Sequence, residues 1–180
     1  MRNLKYLALS IGLWMLIVYG INLMVADESK SYQAVMNEDS RVYDGDTIQD
    51  VFIAIKEFAD VSADGEVLWP GILLKDDVLY IVTDIRLAGI DTPEKRPKKA
   101  GRTAESLARE KAAADAAQKA LLKLVKDNNY EFTIRNPQLG KYSGRTVAEV
   151  WFGDINASEY MLQQGYAMRY DGGTKPKWNW

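Results

Sequence analysis

Tyr6 to Ala26 is a run of 21 residues without a charged side chain, rich in Leu, Ile, Val, Met and Trp. About 20 such residues cross the hydrocarbon layer as a helix, where the backbone must satisfy its own hydrogen bonds. Arg2 and Lys5 precede the run and Asp27 and Glu28 follow it, which places the N-terminus in the cytoplasm and the rest beyond the membrane. The expectation is a signal-anchor over residues 1–26. The domain that follows is then membrane-anchored outside the cytoplasm, on a periplasmic or extracellular face. A cleaved signal peptide shares the charged start and would leave that domain secreted. Its apolar region is usually shorter, and a cut after Ala26 would put Met24 where a small residue is preferred.

The rest of the chain is restricted by two absences: the 180 residues contain no cysteine and no histidine. Disulfides, thiolate zinc sites, cysteine nucleophiles, imidazole bases and histidine-bound metals are all excluded. Chemistry must come from carboxylates, arginine, lysine, tyrosine or an oxygen-bound metal. Without Arg2 and Lys5, 21 basic side chains face 25 acidic ones. No general attraction to a polyanion follows, so nucleic acid would need local basic clusters or a bound cation.

Residues 27–40 are polar and read as a tether leading to a first strand. Alternation from Val51 to Lys56 reads as a strand, and Val78 to Ile90 as another long one, ended by Asp91-Thr92-Pro93. Between them, residues 58–78 carry the turn pairs Asp64-Gly65 and Pro70-Gly71 and read as an inserted hairpin. From Thr103 to about Lys126, Leu107, Ala114, Ala117, Leu121 and Leu124 recur at helical steps, and Asn128-Asn129 stops the helix. Tyr130, Phe132 and Ile134 alternate up to Asn136-Pro137, and Val147 to Phe152 forms a further strand. Asn156 caps a short helix, with Glu159 three residues on and Gly165 as its stop. Such an order suits a small closed sheet with helices packed on it: mainly β with α.

Three segments could carry chemistry. Asp44-Gly45-Asp46-Thr47 brings two carboxylates into one turn, the kind of oxygen cluster a hard cation wants; it is equally an ordinary polar turn. Asp91 and Glu94 sit at the end of the strand that carries Arg86, and could instead terminate the strand or cap a helix. Lys141-Tyr142-Ser143-Gly144-Arg145 suits phosphate contact and base stacking, or a basic turn. Taken together, acidic groups for a cation, one further carboxylate and two arginines are the components of metal-assisted phosphodiester hydrolysis.

In this order, DGDT, R-L-x-x-x-D-T-P-E and K-Y-x-G-R resemble the staphylococcal nuclease family, and the match runs from about Arg41 to Trp178. Glu159–Gly165 and the ending Tyr170-Asp171-Gly172-Gly173-x-Lys175 with Trp178 are similar to the tail of bacterial members. The resemblance implies a five-stranded OB-type barrel with packed helices over residues 41–180. It implies Asp46 and Asp91 as Ca²⁺ ligands, with Thr92 acting through its carbonyl. Glu94 would position or deprotonate the attacking water, while Arg86 and Arg145 clamp the scissile phosphate. Lys141 and Tyr142 would hold an adjacent phosphate, and Asp44 would stand behind the ligands. The implied reaction is hydrolysis of DNA or RNA to 3′-phosphate and 5′-hydroxyl ends by a monomeric catalytic domain.

Thr47 and Arg86 stand 39 positions apart, longer than the family norm. An insertion of roughly 20–30 residues is implied, either an extended hairpin or a docking surface. Lys95, Arg96, Lys98, Lys99 and Arg102 form a basic cluster beside Glu94 that partly answers the acidic balance. The competing expectation is a catalytically inactive OB-type module that binds nucleic acid or an envelope protein.

Overall fold

Alternating apolar and polar residues make the strands one-sided, and the backbone closes them on their apolar faces. The computed structural model describes residues 31–57, 66–69, 72–76, 78–140 and 145–179. The expected membrane segment and the Lys141-Tyr142 pair lie outside the described residues. Among the described residues no helix is long and apolar enough to cross a membrane.

In chain order the elements are β1 (Ser31–Val35), β2 (Arg41–Val42), β3 (Thr47–Glu57), β4 (Glu66–Trp69), β5 (Ile72–Lys75), β6 (Val78–Leu87) and β7 (Ile90–Asp91). There follow α1 (Ala104–Asp127), β8 (Glu131–Leu139), β9 (Arg145–Phe152), β10 (Ile155–Asn156), α2 (Ala157–Gln163) and β11 (Met168–Arg169). Strands β1, β3, β6, β9 and β8 pair in a ring. Every join is antiparallel except β6–β9, which is parallel. This is a five-stranded barrel closed in the OB order, with α1 in the connection between its third and fourth strands. β5 and β4 extend the sheet from β6 as an antiparallel pair, in the segment where a hairpin is expected.

The barrel interior is filled by Ile48, Val51 and Ile53 of β3, Ile85 and Leu87 of β6, Phe132 and Ile134 of β8, and Val150 and Phe152 of β9. The rings of Phe132 and Phe152 meet with centroids 5.4 Å apart. Ala117, Leu121, Leu124 and Val125 form the buried stripe of α1 against this core. Thr103 caps α1, its hydroxyl accepting the Ser106 N–H, and Asn128 ends it with a side-chain bond to the Leu124 carbonyl.

Three expectations are corrected. Within the supposed tether, Ser31–Val35 is a barrel strand, paired on one edge to β3 and on the other to β8. Its pattern is short and weak, with only Ala34 buried, so polarity hides it. The stretch 78–90 is not one strand: Gly89, at φ +78°, turns the chain so that β7 leaves the barrel and pairs with β11. Asn136-Pro137 does not end β8. A register shift between Arg135 and Gln138, with Asn136 at φ +52°, absorbs the proline as a bulge and pairing resumes.

Candidate functional site

Asp46 is the residue just before β3, and its neighbour Thr47 lies opposite Arg86 in the β3–β6 ladder. The register therefore puts the Asp44–Asp46 turn over the end of β6. Arg86 Nη1 donates to Asp46 Oδ1 at 2.7 Å, and Nη2 reaches the Ile90 carbonyl at 3.2 Å and Asp91 Oδ1 at 3.4 Å. One guanidinium thus touches both carboxylates. The other oxygen of Asp46 accepts the backbone N–H of Thr92 at 3.1 Å, and Oδ1 also accepts the Thr47 hydroxyl at 2.9 Å. Asp46, Asp91 and Thr92 are all buried.

Gly45 is needed here for space. A Cβ on it would lie 2.6 Å from Ala117 Cβ of α1 and 2.9 Å from Thr92 Cγ2. Only a bare backbone lets the acidic turn press against both the helix and the Asp91-Thr92 segment.

Burial, then the neighbouring Asp44 carboxylate, pushes the Asp46 carboxyl up from 3.8 to about 7, against the pull of Arg86 and the Thr47 hydroxyl. An additional cation would relieve that strain, and carboxylate oxygens suit a hard divalent ion. Two buried carboxylates reached by one guanidinium, with the backbone carbonyl of Thr92 directly after Asp91, fit Ca²⁺ as a donor set. No group of three or more acidic side chains forms a metal cage among the described residues. A cation here would depend on these two carboxylates, carbonyl oxygen and water.

Glu94 follows Pro93 in a segment without regular structure, and its side chain is half exposed. Its backbone N–H donates to Glu110 Oε1 at 3.2 Å, and Glu110, buried on α1, is ion-paired to Arg102. Arg145 opens β9, where parallel pairing sets it opposite Asp84 and sets Val147 opposite Arg86. Alternation then turns Asp84, Arg86, Arg145 and Val147 to one face. All four line a cavity of about 730 Å³ that also includes Asp46, Thr92 and Glu94, within the ~300–1,000 Å³ common for ligand clefts.

The fourth wall of this cavity comes from the C-terminal tail. β11 pairs with β7, with Met168 opposite Asp91, and Tyr170 N–H donates to the Gly89 carbonyl at 2.9 Å. This brings Tyr170 to Gly173 and Lys175 to the cleft. The Lys175 ammonium lies 2.9 Å from Asp91 Oδ1 and 2.6 Å from Glu94 Oε1. Burial draws its pKa down, but the hydrogen bonds to Glu94 and Asp91 and their charges outweigh that and raise it above the ordinary value.

Five residues singled out in the sequence (Asp46, Arg86, Thr92, Glu94 and Arg145) therefore line one cavity, and the sixth, Asp91, is buried behind its wall in contact with Arg86 and Lys175, which do line it. Of the basic cluster after Glu94, Lys95 is tied to Gln118 and Arg102 to Glu110, while Arg96, Lys98 and Lys99 are exposed. Sequence reasoning missed two residues. Glu110 was legible, since it lies four and seven positions before Ala114 and Ala117 on the buried stripe. Lys175 was quoted as part of the tail, but nothing local connects it with Asp91.

Fold and cleft together define a small OB-type barrel whose polar site is built where the third and fifth barrel strands run parallel. A family model described as staphylococcal nuclease homologue matches residues 84–178, just over half of the chain, and the chain belongs to that family. Among curated proteins none matches it. Membership points to a nuclease-type function, with nucleic acid as the substrate class.

Proposed function

We propose that this protein is a Ca²⁺-dependent nuclease that hydrolyses phosphodiester bonds of DNA or RNA, leaving 3′-phosphate and 5′-hydroxyl ends. The observation that carries the reading is the convergence of two buried carboxylates, Asp46 and Asp91, on Arg86, at a cavity that Asp46, Arg86, Glu94 and Arg145 line.

Asp46, Asp91 and the Thr92 carbonyl would hold the cation, which when bound neutralises a non-bridging oxygen of the scissile phosphate. Arg86 and Arg145 are permanently charged, and their planar forks match phosphate oxygens two at a time. They stabilise the charge that builds as water attacks phosphorus in line and the bond to the 5′ oxygen breaks, the departing oxygen taking a proton from solvent to become the 5′-hydroxyl. Glu94 orients the water and accepts its proton. Positioning and electrostatics supply most of the rate. Lys141 and Tyr142 are assigned an adjacent phosphate, by resemblance alone. The apolar run at 6–26 and its flanking charges support a membrane-anchored protein with this domain outside the cytoplasm, or a secreted one if the segment is cleaved.

Full-length protein should cleave labelled single- or double-stranded DNA or RNA with Ca²⁺ and stop with chelator. Asp46→Ala and Glu94→Gln should each lose cleavage, the loss at Asp46 accompanied by weaker cation binding. Cleavage indifferent to chelator, or unchanged in both variants, overturns the assignment. Binding of nucleic acid without cleavage under any divalent ion makes the domain an inactive OB-type module. Protease added to intact cells should reach the domain, and protection would refute export.

A further inference from the structure

The tail motif Tyr170–Lys175 has no part in the reaction just described, yet its lysine makes the closest approach to the two carboxylates of the Asp91–Glu94 segment. We propose that Lys175 is a resident counter-cation of the site, which holds Asp91 and Glu94 together in the cation-free protein and must leave before a divalent ion takes Asp91. This rests on the nuclease reading for the identity of the cation.

Asp91 Oδ1 is claimed by two positive groups, the Arg86 guanidinium at 3.4 Å and the Lys175 ammonium at 2.9 Å. The two are not equally fixed. Arg86 is mostly buried on β6 and bonded to Asp46, the Ile90 carbonyl and Asp91. Lys175 is half exposed and stands at the end of a flexible four-carbon stem. Upstream of Lys175 its strap is held by β11 against β7, by the Tyr170 N–H on the Gly89 carbonyl, and by the Tyr170 hydroxyl on the Gly173 carbonyl at 3.2 Å. A divalent ion on Asp91 would meet the ammonium at contact distance, and Lys175 is the group able to withdraw. The same ammonium also binds the Glu94 carboxylate, so its departure frees Glu94. Cation uptake and release of the strap are therefore one linked equilibrium, and each must shift the other by the same factor.

Calorimetric titration of Ca²⁺ into the full-length protein, without substrate, tests this directly. Lys175→Met should bind Ca²⁺ about tenfold more tightly than the wild type, equivalent to about 1.4 kcal/mol. Lys175→Arg, which keeps the charge, should not gain affinity. Lys177→Met removes the same charge from the same strap away from the cavity and should stay within about twofold of the wild type, as screened surface charges do. Amide exchange in residues 170–178 should speed up when Ca²⁺ is added to the wild type and be fast already in Lys175→Met. Equal or weaker binding by Lys175→Met, or slower exchange of the strap on Ca²⁺ addition, overturns the counter-cation. Failure of Ca²⁺ to bind either protein overturns it together with the cation of the nuclease reading, whereas tight and equal binding leaves that reading standing.

Discussion

At Asp46, burial outweighs an ion pair at 2.7 Å, and the direction of that balance has a consequence in pH. A carboxyl whose folded value is raised from 3.8 to about 7 binds its proton more tightly folded than unfolded. It favours the folded state below its unfolded value, and that contribution is lost as pH rises through the folded one. The cation-free protein should therefore lose stability between about pH 4 and pH 7 through this group, and Asp46→Asn should flatten that slope in thermal melts taken across the range. An unchanged slope would mean that Arg86 keeps Asp46 ionised. Gly45 gives a second prediction at this scale. Gly45→Ala must push the acidic turn off Ala117 and Thr92, and should lower stability by about 1–3 kcal/mol in denaturant melts, as overpacking does. It should also weaken cation binding, since Asp46 moves with the turn.

At the scale of elements, the site set up by the registers of β3, β6 and β9 is fastened at its sides by one helix and one short strand pair. The first half of α1 reaches back through Glu110 to the backbone of Glu94 and to Arg102, fastening a segment that has no ladder of its own. Replacing Glu110 by Leu leaves the Glu94 N–H without its acceptor and Arg102, still bonded to Ser106, without its carboxylate, and should lower stability by about 1–3 kcal/mol. Glu110→Gln keeps an oxygen for the Glu94 N–H and should retain more of both stability and turnover. If both variants lower KM-independent turnover equally, the N–H bond to Glu94 is not what matters. The β7–β11 pair, with the Tyr170 N–H on the Gly89 carbonyl, has the matching role on the other side, where it brings the tail to the cleft. At α2 the Asn156 side chain accepts the Glu159 N–H at 3.1 Å as expected, but the Glu159 carboxylate turns to Arg169 rather than back to the cap.

For the molecule as a whole, a ligand that binds only the folded barrel raises its stability by mass action. Ca²⁺ at about a hundred times its dissociation constant should add about 2.7 kcal/mol, or roughly 5–10 °C in Tm for a chain of this size. Scanning calorimetry with and without chelator measures it, and Asp46→Asn should abolish the gain. A Tm indifferent to Ca²⁺ in the wild type would remove the cation from the site. Barrel closure is the reason for expecting one cooperative response: β6 carries Arg86, pairs with β3 beside Asp46, and pairs in parallel with β9 at Arg145.

Much of this was written locally. The apolar alternation of β3, β6, β8 and β9, the helical stripe of α1, and the cap Asn156 are short-range patterns, because helix and strand periods are set by bonds within a few residues. The three motifs holding Asp46, Arg86, Asp91, Thr92, Glu94 and Arg145 were legible for a related reason: in a chain without histidine and cysteine few residue types remain for chemistry. Tertiary structure alone decided the rest. β1 has too little apolar surface to declare itself and exists because two barrel edges need pairing. Pro137 became a bulge because the strands on both sides of it were already held. Lys175 reached Asp91 across 84 positions because β11 found β7. Such contacts depend on which edges are left open once the local elements have formed, and no window of sequence contains that information.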